Sequence, residues 1–197
     1  MSDAFTRADS TDDQRFYALE RKVVHIEPGA IAALRSVYDR ELPRGRPILD
    51  LMSSWRSHLP DDRALGSVTG LGMNAAELAD NPQLAYWLVH DLNADPQLPF
   101  DDDSFGAVTC AVSVQYLVRP LEVFGELRRV LAPGCPVVVS FSNRCFPTKA
   151  VRAWLAGDDP HHVELVRSYL EAAGFGNVTD EAPPTPDDPL LIVIARA

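Results

Sequence analysis

Residues 98–142 read LPFDDDSFGAVTCAVSVQYLVRPLEVFGELRRVLAPGCPVVVSFS and contain the pattern that decides the fold. Two apolar runs, Phe105–Val112 and Val137–Ser142, are continuous rather than alternating, which is typical of strands buried on both faces. Between them a helical pattern begins at Pro120 and ends at Pro133–Gly134. Its apolar residues share one helix face: Leu121, Phe124, Leu127 and Leu131. The stretch therefore predicts a strand–helix–strand unit.

The same alternation extends outward in both directions. Further apolar runs predict strands at Pro47–Leu51, Ser67–Leu71, Tyr86–His90, Asn177–Asp180 and Leu190–Arg196. Helices are predicted from Pro28, from Asn74 with Glu77 as its capping partner, and from Asp159–Pro160. A Pro- and Asp-rich turn at Pro183–Asp188 favours a hairpin between the last two strands. These elements predict an α/β domain with a mostly parallel sheet and helices on both faces.

The chain of 197 residues is long enough for one domain with an N-terminal arm. Residues 1–14 are polar and acidic, and we expect them to form a mobile tail rather than a signal peptide. Residues 15–46 are expected to form a helical arm or lid, and residues 47–197 the α/β domain. No run of about 18 apolar residues predicts a membrane span.

The composition of the chain argues against several kinds of binding partner and against structural disulfides or metal sites. Lys and Arg total 18 against 28 Asp and Glu, so the net charge of -10 disfavours binding to nucleic acid or to anionic membranes. Three widely spaced cysteines, Cys110, Cys135 and Cys145, predict neither a disulfide framework nor a zinc site, and they fit a cytoplasmic protein. The acidic run Asp101–Asp103 predicts a solvated turn rather than a metal site.

Polar side chains follow the predicted strands, at the sheet edge where open parallel sheets bind their ligands. They include Asp50, Ser53 and Ser54 after the first strand, Asn74 after the second, Asp91 and Asn93 after the third, and Ser113, Gln115 and Tyr116 after the fourth. Strand ends are polar in many α/β proteins, so this observation locates a candidate site without identifying its ligand.

Two motifs resemble those of class I S-adenosylmethionine (SAM)-dependent methyltransferases of the type 11, ubiquinone-biosynthesis-like group. The first combines Asp91-Leu92-Asn93 with Leu98-Pro99-Phe100-Asp101-Asp102-Asp103-Ser104-Phe105. The second is Glu126-Leu127-Arg128-Arg129-Val130-Leu131-Ala132-Pro133-Gly134. They are similar to the family patterns D-x-x-x-L-P-F-x-D-x-S-F-D and E-x-x-R-V-L-x-P-G-G, and they cover about a quarter of the chain.

The resemblance implies a single-domain, Rossmann-like class I methyltransferase fold, with seven strands of which the last is antiparallel. It implies SAM as cofactor and a small-molecule substrate. Asp50 would lie near the methionine ammonium group, Asp91 would accept a hydrogen bond from the adenine amine, and Leu92 would pack on the adenine ring. Ser113 and Val114 would line the cofactor beside the reacting methyl group.

The sequence also departs from the family pattern. The family's glycine-rich loop has glycines where this chain has Met52, Ser54 and Arg56, so side chains stand where relatives have bare backbone. Ser53 and Ser54 are expected to bond the cofactor carboxylate. The family has an acid that holds the ribose hydroxyls, and this chain has Gly72 at that position. We expect Gly72, Met73 and Asn74 to line the part of the site that holds the ribose. Gly106 stands where the family's S-F-D motif carries its Asp.

Each expected site residue also has a purely structural interpretation. Asp50 is a candidate cap for nearby amides, Asn74 is a candidate N-cap, and Asp91 is a candidate Asx-turn residue, a role open to Asn93 as well. Trp55 is either a stacking partner of a ligand or a plug at the end of the core. Two further aromatic residues are expected to be strand core: Tyr86 and Trp87.

The candidate catalytic residues are His25, Gln115 and Tyr116. A histidine in an N-terminal arm is able to accept a proton from a nucleophile at neutral pH, although a packed histidine is the alternative. The candidate substrate contacts are Tyr17, Arg21 and Arg144, together with Lys149, and the cationic members of this set suit an anionic substrate.

The sequence thus predicts a SAM-dependent methyltransferase acting on a small molecule, as a monomer or a homodimer. The alternative is a non-catalytic protein of the same fold with lost or altered cofactor binding, favoured by the missing glycines and the missing ribose acid. A nicotinamide-dependent oxidoreductase is disfavoured, because no G-x-G-x-x-G motif follows the first strand.

Overall fold

The computed structural model describes residues 3–61 and 64–197. The strands are β1 Ile48–Ser53, β2 Val68–Gly72, β3 Tyr86–Val89, β4 Ala107–Ala111, β5 Pro136–Phe141, β6 Gly176–Glu181 and β7 Leu191–Arg196. The helices are α1 Asp13–Phe16, α2 Pro28–Glu41, α3 Ala75–Ala79, α4 Pro120–Val130, α5 Arg152–Leu155 and α6 Asp159–Ala172. The seven strands and the helices α2, α3, α4 and α6 lie where the sequence patterns predict them, with shifts of a few residues at their ends. The short helices α1 and α5 were not predicted, and Leu121, expected on the apolar face of α4, is exposed.

The strands form one sheet in the order β3-β2-β1-β4-β5-β7-β6. The β1–β2, β2–β3, β1–β4 and β4–β5 pairs are parallel, and β7 runs antiparallel to both of its neighbours. The predicted mostly parallel sheet with an antiparallel last strand is confirmed. The β6–β7 pairing also confirms the hairpin predicted at Pro183–Asp188.

Hydrophobic clusters cover both faces of the sheet. Val137 and Val139 of β5 belong to one cluster with Phe124 of α4, whereas Val138 belongs to a second cluster with Leu34 of α2. Successive strand residues point to opposite faces, so the continuous apolar runs of the sequence are explained by helices packed on both sides. In the described ranges 3–61 and 64–197, no helix has both the length and the apolar character needed to cross a bilayer.

The strand β3 lies at one edge of the sheet, and here the prediction of buried core for Tyr86 and Trp87 is wrong. Tyr86 is 67% exposed and Trp87 is 43% exposed. Both belong to an apolar run that looks like a central strand, but β3 pairs with β2 alone among the described strands. Sequence pattern does not reveal which strand of a sheet is left at the edge.

The N-terminal segment folds back against the end of the sheet. Arg7 forms a β-bridge with Val151, and the Asp9 amide donates to the Thr148 carbonyl. The segment 3–14 is thus tied to the body of the domain in the structure, while its mobility stays a prediction. Of residues 15–46, those in α2 form part of a core layer, because Leu34 and Tyr38 are fully buried.

Candidate functional site

A cavity of about 270 Å³ opens at the carboxyl ends of β1, β2, β3 and β4. Of the residues predicted for the site, all but Val114, Gln115 and Lys149 line it: Tyr17, Arg21, His25, Asp50, Met52, Ser53, Ser54, Gly72, Met73, Asn74, Asp91, Leu92, Asn93, Ser113, Tyr116 and Arg144. The parallel strands bring these residues together, because their carboxyl ends meet at one edge of the sheet. The cavity volume is slightly below the usual range for small-molecule sites.

Val114 and Gln115 lie behind the cavity wall, so the structure corrects their expected contacts. A 3₁₀ turn at Val114–Tyr116 follows β4 and directs the Val114 side chain into the main hydrophobic cluster. The Gln115 amide donates to the Val112 carbonyl, and its side-chain oxygen is buried without a hydrogen-bond partner. Because of this tight turn, Ser113 and Tyr116 line the cavity while Val114 and Gln115 between them do not.

The loop that replaces the family's glycine-rich turn is an irregular extension of β1. Met52 has a positive φ of 55°, and the register of β1 against β2 shifts there so that Ser53 pairs with Gly72. Met52 therefore adopts the left-handed backbone that the family supports with glycine. The carbonyl oxygen of Ser53 would lie 2.1 Å from a Cβ added to Gly72. No side chain fits at Gly72 without movement of the backbone.

Asp50 is the buried carboxylate of the site. Its two oxygens accept hydrogen bonds from the hydroxyls of Ser53 and Thr109, the latter at 3.1 Å. Burial raises the pKa of Asp50 to about 6, and these hydrogen bonds offset part of the rise. The side chain is therefore ionised at neutral pH, in surroundings that favour a cationic partner.

Glu77 is a functional candidate that sequence reasoning missed. One oxygen accepts the Arg21 backbone amide and the other accepts the Ser54 hydroxyl, each at 2.6 Å. It was expected to reach back to the Asn74 amide as a capping partner, but its two oxygens bond elsewhere, and it lines the cavity. The signal available in the sequence was that Glu77 is the first acid after the residue that replaces the ribose acid.

Asn74 confirms its predicted N-cap role and adds a second one. Its side-chain oxygen accepts from the amides of Ala76 and Glu77, and its side-chain amide donates to the Tyr17 carbonyl at 2.9 Å. The start of α3 is thus tied to the N-terminal arm. A ribose contact by Asn74 stays a prediction.

The loop after β3 uses its polar side chains in both local and long-range bonds. Asp91 accepts the Asn93 amide at 2.9 Å through one carboxylate oxygen, which is the Asx-turn arrangement. Asn93 donates to Asp13 and to the Tyr116 carbonyl, and it accepts the Val118 amide. The side-chain amide group of Asn93 therefore joins the N-terminal segment to the turn after β4.

The arm forms the outer wall of the cavity. The Arg21 guanidinium lies 4.4 Å from the centroid of the Phe16 ring, and the His25 ring meets the Phe146 ring edge-on at 5.6 Å. Burial lowers the pKa of His25 below its usual value of 6.5, so its imidazole is neutral at pH 7. The Trp55 indole donates to the Val23 carbonyl at 2.9 Å, which ties the β1 loop to the arm.

Two further side chains of the wall have altered acid–base properties. The Tyr116 hydroxyl accepts the Phe146 amide at 2.9 Å, and burial raises the pKa of Tyr116 to about 12. Tyr116 thus stays protonated and is a hydrogen-bond donor rather than a base. Burial, with nearby positive charge, lowers the pKa of His58 to about 4. Sequence reasoning missed His58, because nothing marks its position as facing a cavity.

Two of the three cations expected to contact substrate, Arg144 and Lys149, are paired with carboxylates. Arg144 lies 2.9 Å from Glu27 and 2.8 Å from Asp188. Lys149 has a fully buried side chain and lies 3.0 Å from Asp13, outside the cavity lining. The position of Lys149 corrects its expected substrate role, since it holds the N-terminal segment in place.

Parts of the chain are similar to known proteins. The Methyltransf_11 family model, described as a methyltransferase domain, matches residues 57–139. A demethylmenaquinone methyltransferase of Clavibacter sepedonicus is 37% identical over 90 residues, which cover 44% of this chain and 37% of that protein. The chain therefore aligns with little more than a third of this curated relative.

Solved structures extend the likeness to most of the chain. A SAM-dependent methyltransferase of Archaeoglobus fulgidus superposes with a TM-score of 0.64 at 15% identity, over 85% of this chain and 92% of that one. The [4+2]-cyclase SpnF superposes with a TM-score of 0.62 at 16% identity, over 83% and 80% of the two chains. Residues 57–139 are thus similar to a methyltransferase domain, and the sheet has the fold of the solved SAM-dependent methyltransferase structures.

Proposed function

We propose that the protein transfers a methyl group from SAM to a small molecule. The observation that carries the proposal is a row of three carboxylates along the cavity: Asp50 after β1, Glu77 in α3 and Asp91 after β3. SAM presents an ammonium group, a ribose diol and an adenine amine, all of which donate hydrogen bonds, and carboxylates accept them. The three acids also favour a ligand that carries a positive charge.

In this proposal Asp50 holds the ammonium group and Asp91 the adenine amine, with Leu92 and Met73 beside the ring. Glu77 holds the ribose diol, because Gly72 lacks space for the acid that relatives carry there. Met52, Ser53, Ser54, Asn74, Asn93 and Ser113 complete the wall around the bound cofactor. Ser54 and the Arg21 amide now bond Glu77, so we expect cofactor entry to move the arm.

SAM supplies an electrophilic methyl group, and the chain mainly has to hold the acceptor in line and exclude water. In this proposal the neutral imidazole of His25 accepts a proton and the Tyr116 hydroxyl donates a hydrogen bond. Tyr17 and Arg21 are the proposed acceptor contacts. Arg144 is left out of this set, because Glu27 and Asp188 already pair with its guanidinium group. We further propose a cytoplasmic location, on the three unpaired cysteines.

A non-catalytic protein of the same fold is the second candidate. It is favoured by one observation: both oxygens of Glu77 are already bonded within the protein. The fold alone does not establish methyl transfer, since the structure of a protein named a [4+2]-cyclase shares it.

Thermal unfolding with added S-adenosylhomocysteine (SAH) tests the proposal. A ligand at 100 times its Kd stabilises the folded state by about 2.7 kcal/mol, which raises the Tm by several degrees. NAD serves as the control, since it also carries adenosine but no methionine. A shift with SAH alone supports the methyltransferase, and no shift with millimolar SAH supports the non-catalytic candidate.

A further inference from the structure

The edge strand β3 exposes an apolar surface. Tyr86, Trp87 and Val89 are 67%, 43% and 48% exposed, so three of its four residues present large side chains to solvent. The strand is parallel to β2 on one side and has no described partner on the other. An exposed, apolar edge strand is a template for pairing with another chain.

This edge lacks the charges that keep most edge strands from pairing. Residues 81–89 contain no Asp, Glu, Lys, Arg or His, in a chain whose net charge is -10. Proline precedes the strand at Pro82, but none lies within it. Two copies of this acidic protein repel each other over most of their surface, and they are able to approach at this neutral segment without bringing like charges together.

Backbone geometry leaves a defined set of hydrogen-bonding groups on the outer side. The His90 amide donates to the Gly72 carbonyl of β2. Because successive residues of a strand direct their amides to opposite sides, Trp87 and Val89 direct their N–H and C=O groups away from β2. These residues also share one face of the sheet, since they are two positions apart.

We propose that β3 is a self-association surface, on which a second copy of this chain adds its own β3 in antiparallel orientation. The two-fold axis passes through Leu88, so that Trp87 of each copy lies opposite Val89 of the other. This register pairs the outward N–H and C=O groups and forms two aromatic–β-branched cross-strand pairs, a stabilising combination. It is a symmetric interface of the kind found in most homodimers.

The same register connects the interface to the cavity. With Leu88 at the centre, Tyr86 of the second copy lies opposite His90, which lines the cavity next to Asp91. The strand is only four residues long, so the interface is small and the dimer forms in a concentration-dependent way. The proposal depends on this edge alone and stands whether or not the cavity binds SAM.

Sedimentation velocity over a hundredfold range of protein concentration tests the association. We expect the wild type to shift from monomer to dimer, and Val89→Lys to remain monomeric over the same range. Leu121→Lys is the matched control, because Leu121 is 52% exposed on α4, and this variant should associate like the wild type. A monomeric wild type, or a Val89→Lys variant that still dimerises, overturns the proposal and leaves the edge free for a strand of another protein.

Disulfide trapping tests the register. At the symmetry axis the two Leu88 residues form a non-hydrogen-bonded pair with Cα atoms about 4.5 Å apart, which is within the range for a disulfide. Leu88→Cys should therefore give a covalent dimer under mild oxidation. Tyr86→Cys, whose residue lies away from the axis, should give no more covalent dimer than the wild type. Equal cross-linking by both variants, or by neither, contradicts the proposed register.

Discussion

The carbonyl oxygen of Ser53 lies 2.1 Å from the position that a Cβ on Gly72 would occupy. The extension of β1 past Met52 brings this carbonyl against the end of β2, where Ser53 pairs with Gly72. The same backbone path thus accounts for two departures from the family pattern. It replaces the glycine-rich turn, and it removes the space for an acid at the end of β2.

Restoring the family acid at this position should disrupt the fold locally. We expect Gly72→Asp to lower the free energy of unfolding by more than about 2 kcal/mol, because its Cβ overlaps backbone. Gly125→Ala is the control: Gly125 lies in α4 with nothing within 4 Å of an added Cβ, and the change should stabilise by about 0.5–1 kcal/mol. Urea unfolding measures both. A Gly72→Asp variant as stable as the wild type would show that β1 does not follow this path.

Asp50 carries a cost to stability that depends on pH. Its pKa in the folded state is raised to about 6 from 3.8, so the ionised form is destabilising and the penalty disappears below about pH 4. At pH 8 we expect Asp50→Asn to have a free energy of unfolding on the order of 3 kcal/mol higher than that of the wild type. Its unfolding temperature should therefore be higher as well. The advantage should shrink as the pH falls through 6 toward 4.

The matched control for Asp50→Asn is Asp101→Asn, on an exposed turn, where we expect no such pH-dependent gain. Calorimetric scans from pH 4 to pH 8 provide the comparison. If Asp50→Asn were less stable than the wild type at pH 8, the buried charge would be stabilising and its assigned pKa direction would be wrong.

Asp91 allows the removal of one charge with little change in structure. Asparagine retains the oxygen that accepts the Asn93 amide, so Asp91→Asn should keep the Asx turn and the Tm. It replaces a charged acceptor by a neutral one for the adenine amine, and we expect roughly 10-fold weaker SAH binding. Fluorescence or calorimetric titration measures the change. An unchanged Kd would remove Asp91 from the cofactor site.

The N-terminal segment should loosen when its buried cation is removed. Lys149 lies 3.0 Å from Asp13 with no exposed side-chain surface, so Lys149→Met leaves a buried carboxylate with one cation fewer. We expect a loss of roughly 3 kcal/mol and faster tryptic cleavage near Arg15 and Arg21. Asp3→Asn, which breaks the exposed pair with Arg152, should leave the cleavage rate unchanged. Equal rates in wild type and Lys149→Met would contradict the anchoring role.

The fold was predictable from the sequence because apolar periodicity marks each layer directly. Val137, Val138 and Val139 had to face apolar surroundings on both sides, and the structure places helices there. The edge position of β3 was not predictable in this way. Trp87 looks like core in a linear pattern, and only the pairing order of the strands exposes it.

The general location of the site was equally predictable, because strand ends converge in any parallel sheet. The roles of individual residues depended on side-chain directions that spacing does not encode. Lys149 and Glu77 illustrate the two kinds of error: one was expected to face a substrate and is buried against Asp13, and the other was assigned to a helix cap and faces the cavity. Lys149 contacts Asp13 of the N-terminal segment and Glu77 contacts Arg21 of the arm, in each case more than fifty residues away in sequence.

Isothermal titration with SAH tests most directly whether this cavity binds an adenosyl cofactor and uses Glu77 for the ribose. We predict saturable binding by the wild type and about 10-fold weaker binding by Glu77→Gln, since a neutral acceptor replaces a charged one. Glu122→Gln, on the exposed face of α4, should bind like the wild type. Wild-type protein that takes up no SAH would contradict the proposed function, and equal affinities for wild type and Glu77→Gln would contradict the assignment of Glu77.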